Sequence, residues 1–100
     1  MAEYELDRER FKELKHFCYQ YPKWKKTLSE EPLADRVDIE RAMLLIEKTA
    51  RDTSPKYAEW ILKHATYGLT YTQMRVPCDN YTFSYLVHKF YWLLDKRKGY

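Results

Sequence analysis

Three histidines (His16, His64 and His88) and two cysteines (Cys18 and Cys78) are the side chains of this sequence best suited to ligating a metal or moving a proton near neutral pH. His16 and Cys18 have the closest spacing. On a helix, residues two apart point about 200° away from each other, so the pair cannot chelate one ion. The sequence has no HExxH, no GxSxG, no glycine-rich phosphate loop and no pair of acids on one apolar face. No enzyme, metal, cofactor or small-molecule substrate is therefore expected. Cys18 and Cys78 are far apart with no CxxC, which reads as two reduced thiols rather than a disulfide framework.

The polar chemistry lies in "GLTYTQMRVPCDNYTFSYLVHKF", residues 68 to 90. Gly68 supplies a helix stop and Thr70 a new N-cap, so "TYTQMR" reads as a short helix, "VPCD" as a turn, and Asp79 or Asn80 as the start of a last helix. In that helix Phe83, Leu86, Val87, Phe90, Leu93 and Leu94 form the anchored stripe, leaving Tyr81, Tyr85, His88, Lys89, Trp92 and Lys96 opposite. A recognition helix needs this arrangement: an apolar face on its scaffold, and short polar and basic groups that fit a groove about 12 Å wide. Asn80, Thr82, Ser84 and Tyr85 are the expected base contacts. Lys63, Arg75, Lys89, Lys96 and Arg97 are the expected phosphate contacts, with the free N–H groups at the helix start as a further phosphate site. Charge supports the placement. Residues 1 to 60 hold twelve Lys or Arg against thirteen Asp or Glu, whereas residues 61 to 100 hold six against two, so the positive excess of the chain sits on this segment.

These groups have to be held by helices further up the chain. Leu6, Arg10, Leu14, Phe17, Cys18 and Tyr21, widened by Phe11, predict a first amphipathic helix ended by Pro22. Pro22 also fits the first turn of a short second helix, with Trp24 and Leu28 inward and Lys23, Lys25 and Lys26 outward. Pro32 closes a loop. Asp35 or Asp38 can cap a central helix whose stripe is Ile39, Ala42, Met43, Ile46 and Ala50, widened by Val37, Leu44 and Leu45. Ser54 as N-cap and Pro55 at the first helical position predict the next helix, with Ala58, Ile61, Leu62 and Ala65 inward, Gly68 past its end and Leu69 making the accompanying apolar contact.

A length of 100 residues, 45% hydrophobic and 33% charged, with only two glycines and four prolines, is one globular unit large enough to bury its own core. The expected fold is all-α: a single compact helical domain of about five helices with a C-terminal helix-turn-helix, residues 1–53 forming the scaffold and 54–100 the helix-turn-helix-like part. No apolar run approaches a membrane span and the start "MAEYELDRERF" is charged rather than signal-like, which predicts a cytoplasmic protein with no membrane partner.

The segment "SPKYAEWILKHATYGLTYTQMRVPCDNYTFSYLVHKFYWLL" resembles the C-terminal part of RinA- and ArpU-type regulators from phages and conjugative elements of Gram-positive bacteria. Their helix-turn-helix is similar to region 4 of sigma factors. "GLTYTQM", "NYTF" and "LVHKFYWLLDKRK" carry the likeness, over about the last 45 residues. The turn departs from the pattern: "RVPCDNY" between Met74 and Thr82 is roughly two residues short and has Pro77 where a glycine is usual. The resemblance implies a transcriptional regulator of a mobile element that binds double-stranded DNA, with RNA polymerase or a second copy of itself as further partners. The alternative expectation is a small helical protein–protein adaptor without direct DNA binding, anchored by Tyr85, Tyr91 and Trp92.

Overall fold

The computed structural model describes residues 4–30 and 36–98. Six helices follow one another: α1 (Arg8–Tyr19), α2 (Tyr21–Glu30), α3 (Arg36–Thr53), α4 (Ala58–Tyr67), α5 (Tyr71–Met74) and α6 (Asn80–Lys98). The described residues contain no strand and no helix long and apolar enough to cross a membrane. The all-α reading holds, with α5 reduced to a single turn.

Helix α3 is the hub. It packs against α2, α4 and most extensively α6, while α1 closes the other side against α4 and α6. Leu14, Ile46, Ile61, Phe90 and Leu94 are fully buried where these helices meet, and each such side chain contributes about 1.5–3 kcal/mol of transfer free energy. Buried threonines line the same interior without orphaning their hydroxyls. Thr49 donates to the Leu45 carbonyl at 2.6 Å, Thr53 to that of Thr49 at 2.8 Å and Thr66 to that of Leu62 at 2.7 Å.

The local punctuation explains most boundaries. The Asp7 side chain accepts from the Arg10 amide and opens α1. Pro22 lies in the first turn of α2, where a missing N–H costs nothing, and Trp24 and Leu28 are half-buried as expected. Gly68 takes the left-handed conformation, φ 70°, that ends α4. Thr70 then caps α5 with a reciprocal bond pair to Gln73. Pro32 and Asp35 lie outside the described residues, so those two expectations have no counterpart here; Asp38 sits in the first turn of α3.

Several expectations are corrected. Val37 and Leu44 are 57% and 56% exposed, because α2 and α6 flank α3 and leave its outer face uncovered. The Ser54 hydroxyl accepts from the Tyr57 amide at 3.4 Å, the bond expected of a cap, but it caps the turn before α4 rather than the helix itself. The Ser54 amide still bonds to the Ala50 carbonyl at the end of α3, and residues 55–57 form a turn before the helix starts at Ala58. Leu69 is exposed, and its carbonyl rather than its side chain is engaged, by His64 Nδ1 at 2.7 Å.

Candidate nucleic-acid interface

Helix α6 is held on two flanks. Phe83 meets the rings of His64 on α4 and Tyr71 on α5, at 5.6 and 5.9 Å between centroids, and Phe90 and Leu94 enter the core. On the second flank Tyr91 packs against Phe11 of α1 at 4.9 Å, and Asp95 forms an ion pair with Arg10 of α1. Tyr91 is only 2% exposed. Its expected role as a surface anchor is therefore wrong: α1 covers a side of α6 that lies outside the stripe set by Phe83 and Leu94.

What remains outward is a band carrying Tyr81, Tyr85, Lys89, Trp92 and Lys96. Tyr81 is 72% exposed. Tyr85 and Trp92 are half-buried because Tyr4, from the segment before α1, sets its ring edge against both, at 5.4 and 5.3 Å. Lys96 lies over the Trp92 ring at 5.0 Å, which leaves its ammonium at the surface.

The four expected base contacts do not share one face. Asn80 and Ser84 are exposed and line a cleft with Phe11, His64, Tyr71 and Phe83. Thr82 lies about 200° around the helix from Asn80, and Tyr85 about 100° from Ser84. The Thr82 hydroxyl is already engaged, donating to Asp79 Oδ1 at 2.6 Å. Of the four, Tyr85 and the half-buried Thr82, about 20° around the helix from Lys89, belong to the outward band.

The start of α6 is filled as well. Asp79 accepts from the Thr82 amide at 3.0 Å, so its carboxylate caps the helix where a phosphate was expected. The Thr82 hydroxyl and amide hold the Asp79 carboxyl below its ordinary value of 3.8. An incoming phosphate would meet this negative charge.

The five expected phosphate contacts divide. Lys63 pairs with Glu59 at 3.0 Å on α4. Arg97 pairs with Asp52 at 2.6 Å and reaches Thr49 at 3.4 Å, tying α6 to α3. Lys89 and Lys96 have no carboxylate partner among the described residues, and neither does Arg75.

The proline-bearing turn between α5 and α6 is firmly held. Arg75 takes the left-handed conformation, φ 53°, that a glycine would ordinarily supply. Val76 is buried, the Tyr71 hydroxyl donates to the Cys78 carbonyl, and the Tyr57 hydroxyl donates to the Pro77 carbonyl at 3.3 Å. Both tyrosines stand where the sequence reading took no notice of them. The two hydroxyls fix successive carbonyls of a segment too short to hold itself by a glycine turn.

Cys18 is fully buried while His16 is exposed, as their spacing on a helix requires, and burial pushes the Cys18 thiol up to about 12. His88 Nδ1 is bound to the Ser84 carbonyl at 2.7 Å beside a cleft lined by Tyr4, Leu6, Arg8, Phe11 and Tyr91. Compared with known proteins, the chain matches no family model, no curated sequence and no solved structure.

Proposed function

We propose that the chain is a small DNA-binding regulator that lays the outward band of α6 along duplex DNA. One observation carries this reading. The half-buried Lys89 and the exposed Lys96 stand on the outward side of α6 with no acid partner among the described residues, whereas other cations of the same half of the chain, Lys63 and Arg97, are paired with Glu59 and Asp52. Arg75, at the turn before α6, adds a third unpaired cation near its start. Phosphate attraction dominates this contact, and Tyr81 and Tyr85 are the aromatic groups nearest the bases. Regulation of a mobile element, the role implied by the RinA/ArpU resemblance, is the biological setting of the proposal.

A duplex-binding titration over a range of salt concentrations tests it. Duplexes from the genetic neighbourhood of the coding sequence should bind more tightly than shuffled ones, with affinity falling steeply as salt rises. Absence of binding at low salt would end the DNA reading.

The adaptor reading keeps one specific observation: Tyr81, 72% exposed, stands on the first turn of α6, which is capped by the Asp79 carboxylate, a setting better suited to protein than to phosphate. Tyr81→Ala then separates the two. It weakens a protein contact strongly and a phosphate-dominated DNA contact little.

A further inference from the structure

The outer face of α3 holds a different surface. We propose that it is a docking site for an acidic amphipathic helix of a partner protein. Val37, Arg41, Leu44, Lys48 and Arg51 follow one another at spacings of four, three, four and three, the cadence of a helix–helix seam, within an arc of about 80°. All five side chains are exposed. The opposite side of the same helix carries the buried Ile46, Thr49, Ala50 and Thr53, so the seam is not part of the core of this chain.

Charge sets the chemistry of this face. Three acids of α3 beside it have other partners, Glu40 with Arg36 at 2.6 Å, Asp52 with Arg97 at 2.6 Å, and Glu47 with the Tyr21 hydroxyl, while Asp38, about 60° around the helix from Arg41, is exposed. Arg41, Lys48 and Arg51 have neither an ion pair nor a hydrogen bond among the described residues. Lys12 on α1 and Lys63 on α4 each have a glutamate one turn away, at 3.9 and 3.0 Å, whereas the exposed Lys23, Lys25 and Lys26 of α2 have no ion pair among the described residues and no exposed aliphatic pair on their helix. The seam is thus two exposed aliphatic side chains one heptad apart, flanked by three cations with no ion pair among the described residues.

The occupant follows from that chemistry. An incoming helix that places leucine-like side chains on Val37 and Leu44 and carboxylates beside Arg41, Lys48 and Arg51 removes the aliphatic area from water and neutralises the cations. A second copy in a symmetric contact would bring the same cations together. Duplex DNA would satisfy the cations and leave Val37 and Leu44 among phosphates. The proposal does not depend on the DNA reading of α6, which uses another helix.

The test uses the whole chain and a fluorescent synthetic peptide of three heptads. The peptide has leucine at its a and d positions and glutamate at its e and g positions, so that its own pairing is opposed by like charge. Anisotropy should show saturable binding, weakened roughly tenfold or more by Leu44→Glu and by Lys48→Glu combined with Arg51→Glu. A peptide carrying lysine for glutamate should bind the charge-reversed variant better than the original chain. All three positions are exposed, and circular dichroism confirms that each variant retains its helices. The proposal is overturned if the original chain fails to bind the acidic peptide, or if Leu44→Glu leaves that binding unchanged. It is equally overturned if the charge reversals abolish binding to a duplex oligonucleotide, or to vesicles of equal parts phosphatidylcholine and phosphatidylserine, and leave peptide binding intact.

Discussion

Arg10 Nε donates to Asp95 Oδ1, joining the first turn of the fold's first helix to the last turns of its final one. Both side chains are largely withdrawn from water, at 19% and 9% exposure. Asp95→Ala removes a charge-assisted bond from a poorly solvated place while Arg10 keeps Glu13 at 3.0 Å, so it should destabilise the chain by about 2 kcal/mol. The pair Arg10→Met and Asp95→Leu should together cost less than Asp95→Ala alone, because the guanidinium leaves its poorly solvated site together with the carboxylate. Urea midpoints for the two variants check this; a double variant less stable than Asp95→Ala would show that the pair stabilises more than an apolar replacement can.

Lys89 and Arg97 should respond oppositely to truncation although they lie on the same helix. Lys89 has no acid partner, so Lys89→Ala should lower the salt slope of duplex binding by about one while leaving the urea midpoint almost unchanged. Arg97 is committed to Asp52 and Thr49. Arg97→Ala should therefore cost about 1 kcal/mol of stability and leave the salt slope where it was. The same pair of measurements on one preparation decides both, and a slope reduced by Arg97→Ala would place α6 against DNA along the edge it shares with α3.

The helices were legible wherever a cap, a proline or an apolar stripe acted alone. Gly68, Thr70 and the stripe of α6 from Phe83 are examples, since each depends only on neighbours in sequence. Tyr91 and Asp95 were not legible, because a flank buried by a distant helix has no periodic signature of its own. The available signal was Arg10, a cation inside the apolar stripe of α1, which needed an acid somewhere in the chain. The exposure of Val37 and Leu44 was hidden for the converse reason. Aliphatic residues next to a real stripe look like its margin until the neighbouring helices are placed. At the candidate interface, charge counts pointed to residues 61–100, but ion pairs with Glu59 and Asp52 decided which cations remain available.

Gly68 should tolerate a side chain poorly for a backbone reason alone. Its φ of 70° lies in the left-handed region, while a Cβ added there would meet nothing nearer than the Tyr19 hydroxyl at 4.0 Å. Gly68→Ala is expected to cost about 1 kcal/mol. Gly68→Asn, whose side chain tolerates that conformation better, should cost about half as much. Thermal or urea unfolding of the two variants tests the order, and equal losses would point to a packing clash rather than backbone strain.

Asp79 links the stability of α6 to its proposed contact. Thr82 bonds lower the folded pKa below the ordinary value of 3.8, so the capping contribution is complete above that value and is lost as pH falls through the lowered folded pKa. Asp79→Ala should therefore have a lower urea midpoint than the original chain at neutral pH, and the gap should narrow as the pH is taken below 3.8. Asp79→Asn keeps an acceptor oxygen for the Thr82 amide and should lose less. It also removes the negative charge from the end of the helix whose dipole favours anions, which should tighten duplex binding by about two- to fivefold at low salt. An affinity unchanged by Asp79→Asn would mean that DNA approaches the middle of α6, near Lys89 and Trp92, and leaves its N-terminal turn uncontacted.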